Sequence, residues 1–205
     1  MKQRVIVVYK KKKDIAGLFL FLAGFIMFMG ILTAGIFYPY EYSIRDDEIS
    51  DLAATKPPDS IITQPSASIF NSVMIISGIF IILASILIHA VYHKYFFSMP
   101  MIFLGIGVVG VGIFPANIVP LHSIFAFIIF FSGSISVIVT AIIARWPLNY
   151  VFVCLGMISL FFLFFNPVLI GFLGKGGAER WIVYPIVFWM MGFGSYIVGT
   201  NEIIT

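Results

Sequence analysis

Two carboxylates, an amide, an imidazole and a guanidinium stand at the ends of long apolar runs: Asp51, Asn71, His122, Glu179 and Arg180. His122 can act as a general base. With Ser50 or Ser123 as nucleophile and Asp51 or Glu179 as orienter, it completes the set a hydrolase or acyl transferase needs. With Asp51 and Glu179 it could instead hold a divalent cation. Arg180 is the residue suited to a phosphate or carboxylate, such as a lipid headgroup. A structural use stands beside these: Glu179 pairing with Arg180 or Asp51, and His122 and Asn71 bonding loop backbone, because buried polar groups are normally partnered. The spacing is not diagnostic, so binding, catalysis and scaffolding all remain open at this point.

A second cluster, Ser85, His89 and His93, recurs at spacing four and so shares one helical face. Two histidines so placed are weak candidates for metal or haem, which need further ligands. The same side offers only Arg145, Asn149, Asn201 and Glu202, and interfacial histidines beside Tyr92, Lys94 and Tyr95 are the plainer reading. No cofactor is expected. Cys154 is the single cysteine and falls inside an apolar run, which excludes an intrachain disulfide or a multi-thiolate site.

The elements that must position these groups follow from composition. Of 205 residues, 61% are hydrophobic and 10% charged, and the mean hydropathy is +1.10. No soluble domain of this length hides so much apolar surface, so the bilayer is the solvent. The runs predict an all-α transmembrane bundle of about six helices. They lie near Ile15 to Tyr38, Ile69 to Val91, Met99 to Phe114, Ser123 to Ala144, Tyr150 to Phe172 and Ile182 to Val198, the third being shortest. A basic tail, 1–14, precedes one domain, 15–205. Lys2, Arg4, Lys10 to Lys13, Lys94 and Arg145 fall on one side, and the positive-inside rule places both termini in the cytoplasm. The other side carries Arg45, Lys56, Lys175 and Arg180 among seven acids. The net charge of +3 comes mostly from the tail and marks topology; without a basic stripe or soluble module, nucleic-acid binding has no support.

Alternating topology returns Ile49-Ser50-Asp51-Leu52, Ile69-Phe70-Asn71, His122 and the turn Gly176-Gly177-Ala178-Glu179-Arg180-Trp181 to the same outer face. The long connection 39–68 is expected to fold as an ordered cap, with Ile49, Leu52, Ile61 and Ile62 packed back onto the bundle. Gly105-Ile106-Gly107-Val108-Val109-Gly110 matches a dinucleotide fingerprint letter for letter, but inside an apolar run its glycines serve close helix approach. Ser132, Ser136, Thr140 and Ala144 give the fourth span a small face, and Gly192, Ser195 and Gly199 the sixth. Packing is the expected use of both. No charge sits mid-span and no broken helix pair marks a midplane site, which disfavours a transporter.

On Ile49-Ser50-Asp51-Leu52, Ile69-Phe70-Asn71 with Gly78, Gly112-Ile113-Phe114-Pro115 leading to His122, and Glu179-Arg180 with Tyr184-Pro185, the chain resembles domain-of-unknown-function family 998. That family commonly has Gly after Ser-Asp-Leu, where this chain has Ala53. More distantly it resembles the Frag/DRAM/Sfk membrane proteins, some of which are linked to lipid-anchor remodelling or lipid distribution. The resemblance implies a prokaryotic six-helix protein of the plasma membrane and, by analogy alone, a lipid connection. The expected partners are membrane lipids, with a membrane-protein partner or a second copy as alternatives. Three readings result: an outer site of Asp51, Asn71, His122, Glu179 and Arg180 that binds a lipid headgroup or partner, a lipid hydrolase or acyl transferase using His122, or an accessory subunit of a larger complex.

Overall fold

The computed structural model describes residues 2–200, with side chains from Val7 onward. Among them are six helices: α1 Lys2–Ile36, α2 Ser66–Tyr92, α3 Tyr95–Ile113, α4 Val119–Thr140, α5 Leu148–Phe164 and α6 Asn166–Gly199, with a 3-10 turn at Ile49–Leu52 in the first connection. Each helix packs on its neighbour in sequence, α6 closes the ring on α1, and α4 reaches α6 across it. Five helices are long and apolar enough to cross a bilayer, and α5 is a shorter apolar helix. Phe21, Phe25, Ile86, Phe103 and Phe161 are exposed on the outside of the ring, as lipid-facing side chains must be. The chain is an integral membrane helical bundle.

Without a hydrophobic force between helices in lipid, close backbone approach does the packing. At the α1–α6 seam, a Cβ on Gly17 would lie 2.5 Å from the Gly194 carbonyl oxygen, and one on Gly194 would lie 2.5 Å from the Gly17 oxygen. Gly78 and Gly105 repeat this reciprocal contact between α2 and α3 at 2.8 and 2.9 Å. Gly107 and Gly110 turn the other way, against Phe125 and Ile129 of α4. The fingerprint-like glycines therefore seat α3 between two neighbours.

Hydroxyls join the far side of the ring. Ser136 and Thr140 are fully buried and donate back to the carbonyls of Ser132 and Ser136, each at 2.8 Å. Thr140 Oγ1 also accepts from Trp189 Nε1 at 2.8 Å. Ser134 and Ser159 share a 2.6 Å hydrogen bond, and Ser159 donates to the Ile182 carbonyl at 2.8 Å, linking α4, α5 and α6. The stripe expected on α6 does not pack: Ser195 is exposed, a Cβ on Gly199 would meet nothing within 4 Å, and one on Gly192 would meet only Phe152, at 3.8 Å. Gly194, two residues along, faces α1 instead. Spacing alone leaves the register open; the face that meets α1 sets it.

The helix boundaries depart from the apolar runs at three places. α1 continues through the basic stretch from Lys2, and Lys13 is buried there, donating to the Thr200 carbonyl and hydroxyl at the end of α6. A cation at a helix C-terminus satisfies carbonyls left without partners. The fifth run breaks at Phe165, so α5, with 17 residues, is the shortest helix rather than α3 with 19. The remainder, Asn166 onward, joins α6, whose 34 residues would extend about 51 Å if straight. That exceeds a bilayer core of about 30 Å, and the helix is broken at Gly174, where φ is +75°. Gly176 to Trp181 is helix, not a turn.

Candidate functional site

The cap is built from short-range side-chain bonds that a polar loop can make by itself. Asp47 Oδ2 accepts the Ser43 amide at 2.7 Å, and Ser43 Oγ accepts the Asp46 amide at 3.1 Å. Asp51 Oδ2 accepts the Glu48 amide at 2.7 Å, the reciprocal half of a capping box over the 3-10 turn. Burial pushes the Asp51 carboxyl above its ordinary range. Ile49, Leu52 and Ala53 are then buried on the bundle, and Ser66 Oγ at the start of α2 donates to the Leu52 carbonyl at 2.8 Å. Ile61 and Ile62 do not join this packing and are exposed, because the turn through Pro57 and Pro58 swings them outward.

The kink in α6 receives the cap. A Cβ on Gly174 would sit 2.2 Å from the Arg45 carbonyl oxygen, and one on Gly176 would sit 2.0 Å from that of Asp47. Gly177 N–H donates to the Arg45 carbonyl at 3.0 Å. Arg180, 7% exposed, clamps the same segment. Its Nη1 donates to the carbonyls of Ile44 and Asp47 at 2.8 and 3.0 Å, and its Nη2 donates to the Tyr42 hydroxyl at 2.7 Å. The Tyr42 hydroxyl in turn donates to the Glu48 carbonyl at 3.0 Å, and burial pushes its phenol well above the usual range, so it remains a donor.

Two cavities meet beneath this cap. One, about 50 Å³, lies inside the ring under Ile49, walled by Met27, Phe70, Met74 and Val111. The other, about 250 Å³, opens sideways between α4 and the α5–α6 hairpin. Ser50, His122, Ala126, Phe130 and Glu179 line both. The lateral pocket adds the polar side chains of Glu48, Lys56, Ser123, Asn166 and Lys175 and the apolar ones of Phe127, Leu163, Ile170 and Ile182. Its lining is mixed, with charged and apolar side chains in one pocket.

His122 is buried in the first turn of α4. Its Nδ1 lies 2.9 Å from the Phe114 carbonyl. A carbonyl only accepts, so Nδ1 carries the hydrogen and Nε2 of the neutral ring is an acceptor. Glu179 Oε2 accepts the Ile49 amide at 2.5 Å, while the carboxylate also borders both cavities. Lys56 pairs with Glu48.

Of the five residues expected to share one site, the fold brings His122 and Glu179 together. Asp51 serves the capping box. Asn71 sits on α2 with a buried Oδ1 that has no partner among the described residues, and it lines neither cavity. Arg180 borders a separate groove with Trp181, Tyr184 and Phe188. The polar pairings also differ from the expected ones. Glu179 takes a backbone amide rather than Arg180 or Asp51, and His122 bonds the α3–α4 turn rather than the cap. Lys56, Lys175 and Asn166 escaped sequence reading as site residues. Only Lys175 carried a signal, its spacing of four from Glu179 on one helical face. Tyr42 carried none.

At the opposite end, His89 Nδ1 lies 3.1 Å from Ser98 Oγ and its ring lies 4.6 Å from that of Tyr95. His93 is exposed in a left-handed conformation, φ 52°, and ends α2. His89 thus bonds α2 to α3, and His93 stands edge-on to Tyr9 of α1, ring centroids 6.3 Å apart. Among the described residues, no group of three or more His, Cys, Asp or Glu is arranged to hold a metal ion.

A family model described as "Protein of unknown function (DUF998)" matches residues 21–196. The match covers the ring from α1 to α6 and includes the cap, His122 and Glu179. Neither the curated proteins nor the solved structures contain a match to the chain.

Proposed function

Because this chain belongs to the DUF998 family of membrane proteins of unknown function, we propose its function from its own geometry: it binds a membrane lipid, headgroup beneath the cap and acyl chain along α4 and α5. The lateral pocket carries this reading. Lys56, Lys175, His122 and Glu179 line it together with Phe127, Leu163 and Ile170. An amphiphile suits such a lining, with its headgroup on the charged side chains and its acyl chain against the apolar ones. The site faces the outer leaflet in this reading, since Lys10 to Lys13, Lys94 and Arg145 mark the other end as cytoplasmic. Arg180 contributes by holding the cap, and Lys175 takes over the part of headgroup cation.

Native mass spectrometry after gentle extraction tests this. The wild type should retain lipid, and Ala126→Leu, which fills the space common to both cavities, should lose it while keeping its helical circular dichroism. Unchanged retention in that variant would sink the proposal.

One observation favours a second reading, lipid ester hydrolysis. Ser50 and His122 border the same two cavities, and anchoring Nδ1 on Phe114 leaves Nε2 to act as base. Here His122→Gln abolishes lipid turnover at nearly unchanged thermal stability. A variant that melts early without any turnover in the wild type would leave His122 a structural residue.

A further inference from the structure

We infer that the headgroup selected by the lateral pocket is a zwitterion of one phosphate and one primary ammonium, as in ethanolamine phospholipids; this rests on the lipid reading above. Both signs of charge line the one pocket. Glu48 and Lys56 neutralise each other. Lys175 and Glu179 remain, one turn apart on α6. No ion pair joins them among the described residues, because the Ile49 amide holds the Glu179 carboxylate toward the cap.

A purely anionic headgroup would satisfy Lys175 and face the Glu179 carboxylate without compensation. A zwitterion satisfies both, with phosphate toward Lys175 and the Ser123 hydroxyl and ammonium toward Glu179.

Hydrogen-bond chemistry narrows the cation further. Three acceptors at this pocket have no donor among the described residues: the second oxygen of Glu179, Nε2 of His122, and Asn166 Oδ1, which is buried without a partner. A primary ammonium brings three N–H donors. A quaternary ammonium brings none and leaves those acceptors unpaired, so choline headgroups are discriminated against.

The test uses the full chain in nanodiscs containing ethanolamine, choline and glycerol phospholipids in equal amounts, with retained lipid read by native mass spectrometry. The ethanolamine lipid should be enriched about tenfold over the choline lipid, the worth of one charge-assisted hydrogen bond. Glu179→Gln keeps an acceptor for the Ile49 amide and should lose that enrichment while still retaining lipid. Asn166→Leu should reduce it independently, and Lys175→Gln should lower retention of all three lipids. Equal retention of ethanolamine and choline lipids, or preference for the glycerol lipid, would overturn the inference and leave lipid binding standing. Displacement by soluble phosphoethanolamine at equal concentration would overturn the lipid as the source of the zwitterion. An absence of retained lipid of any kind would overturn the lipid reading itself, and this one with it.

Discussion

Glu179 accepts the backbone amide of Ile49 at 2.5 Å, across 130 residues of chain. The bond joins the helix that closes the ring to the turn that roofs it, at the point where both cavities meet. The carboxylate that lines the pocket thus also holds its lid, so the cap and the site share one anchor.

Arg180 supplies the other anchor. Arg180→Ala removes three donors from Ile44, Asp47 and Tyr42 and should cost about 3 kcal/mol, because buried acceptors lose charge-assisted hydrogen bonds. Tyr42→Phe, which removes one hydroxyl, should cost about 1 kcal/mol. Thermal melting in detergent gives the order of the two. Limited proteolysis should cut between residues 40 and 62 in Arg180→Ala far faster than in wild type; an uncut cap would show that Arg180 does not hold it.

Gly17 and Gly194 are interchangeable partners in one seam. Either glycine replaced by valine should destabilise the protein by about 2 kcal/mol, as overpacking forces α1 and α6 apart. The double variant should cost less than the sum, because the first substitution has already opened the seam. Gly199→Ala, which meets nothing within 4 Å, is the control and should melt like the wild type. Equal melting of Gly17→Val and the control would refute the close crossing.

Trp189 reports on the other side of the ring. Thr140→Val removes the acceptor 2.8 Å from its indole nitrogen and leaves a buried donor unpaired, at a cost of about 1–3 kcal/mol. A blue shift in tryptophan emission should accompany it. A shift without destabilisation would mean that the indole finds another acceptor.

Asp51 sets a pH dependence of known sign. Its folded carboxyl titrates above the ordinary value of 3.8 because burial disfavours the charge. The folded state therefore binds the proton more readily than the unfolded one, and this group favours folding as pH falls toward its ordinary value. The contribution is lost as pH rises through the raised folded value. Asp51→Asn should flatten the melting temperature over that window by removing the titration while keeping an acceptor for the Glu48 amide. An unchanged slope would place the dependence on other carboxyls.

The class of the molecule was legible because the bilayer demands it: apolar runs of spanning length can only be helices with internally satisfied backbones. Alternation across the membrane then brings Ser50, His122 and Glu179 to one end, whatever the packing. The glycines at Gly105, Gly107 and Gly110 were equally legible as contacts, since an apolar setting leaves them no phosphate to hold. Which side of a helix each polar residue faces was another matter. Glu179 and Arg180 are adjacent in sequence, yet about 100° of helical rotation separates neighbours, sending one to the pocket and the other to the cap strap.

That rotation is fixed by Gly17 against Gly194 and by the Gly174 break beneath Arg45, contacts between segments more than a hundred residues apart. Local pattern contains no record of them. Composition and periodicity thus determined a six-helix membrane bundle with its polar groups gathered at one end. Only tertiary packing decided that His122 and Glu179 would share a lateral pocket with Lys175 while Asp51, Asn71 and Arg180 turned elsewhere, because helix azimuth is set by the neighbour rather than by the chain itself.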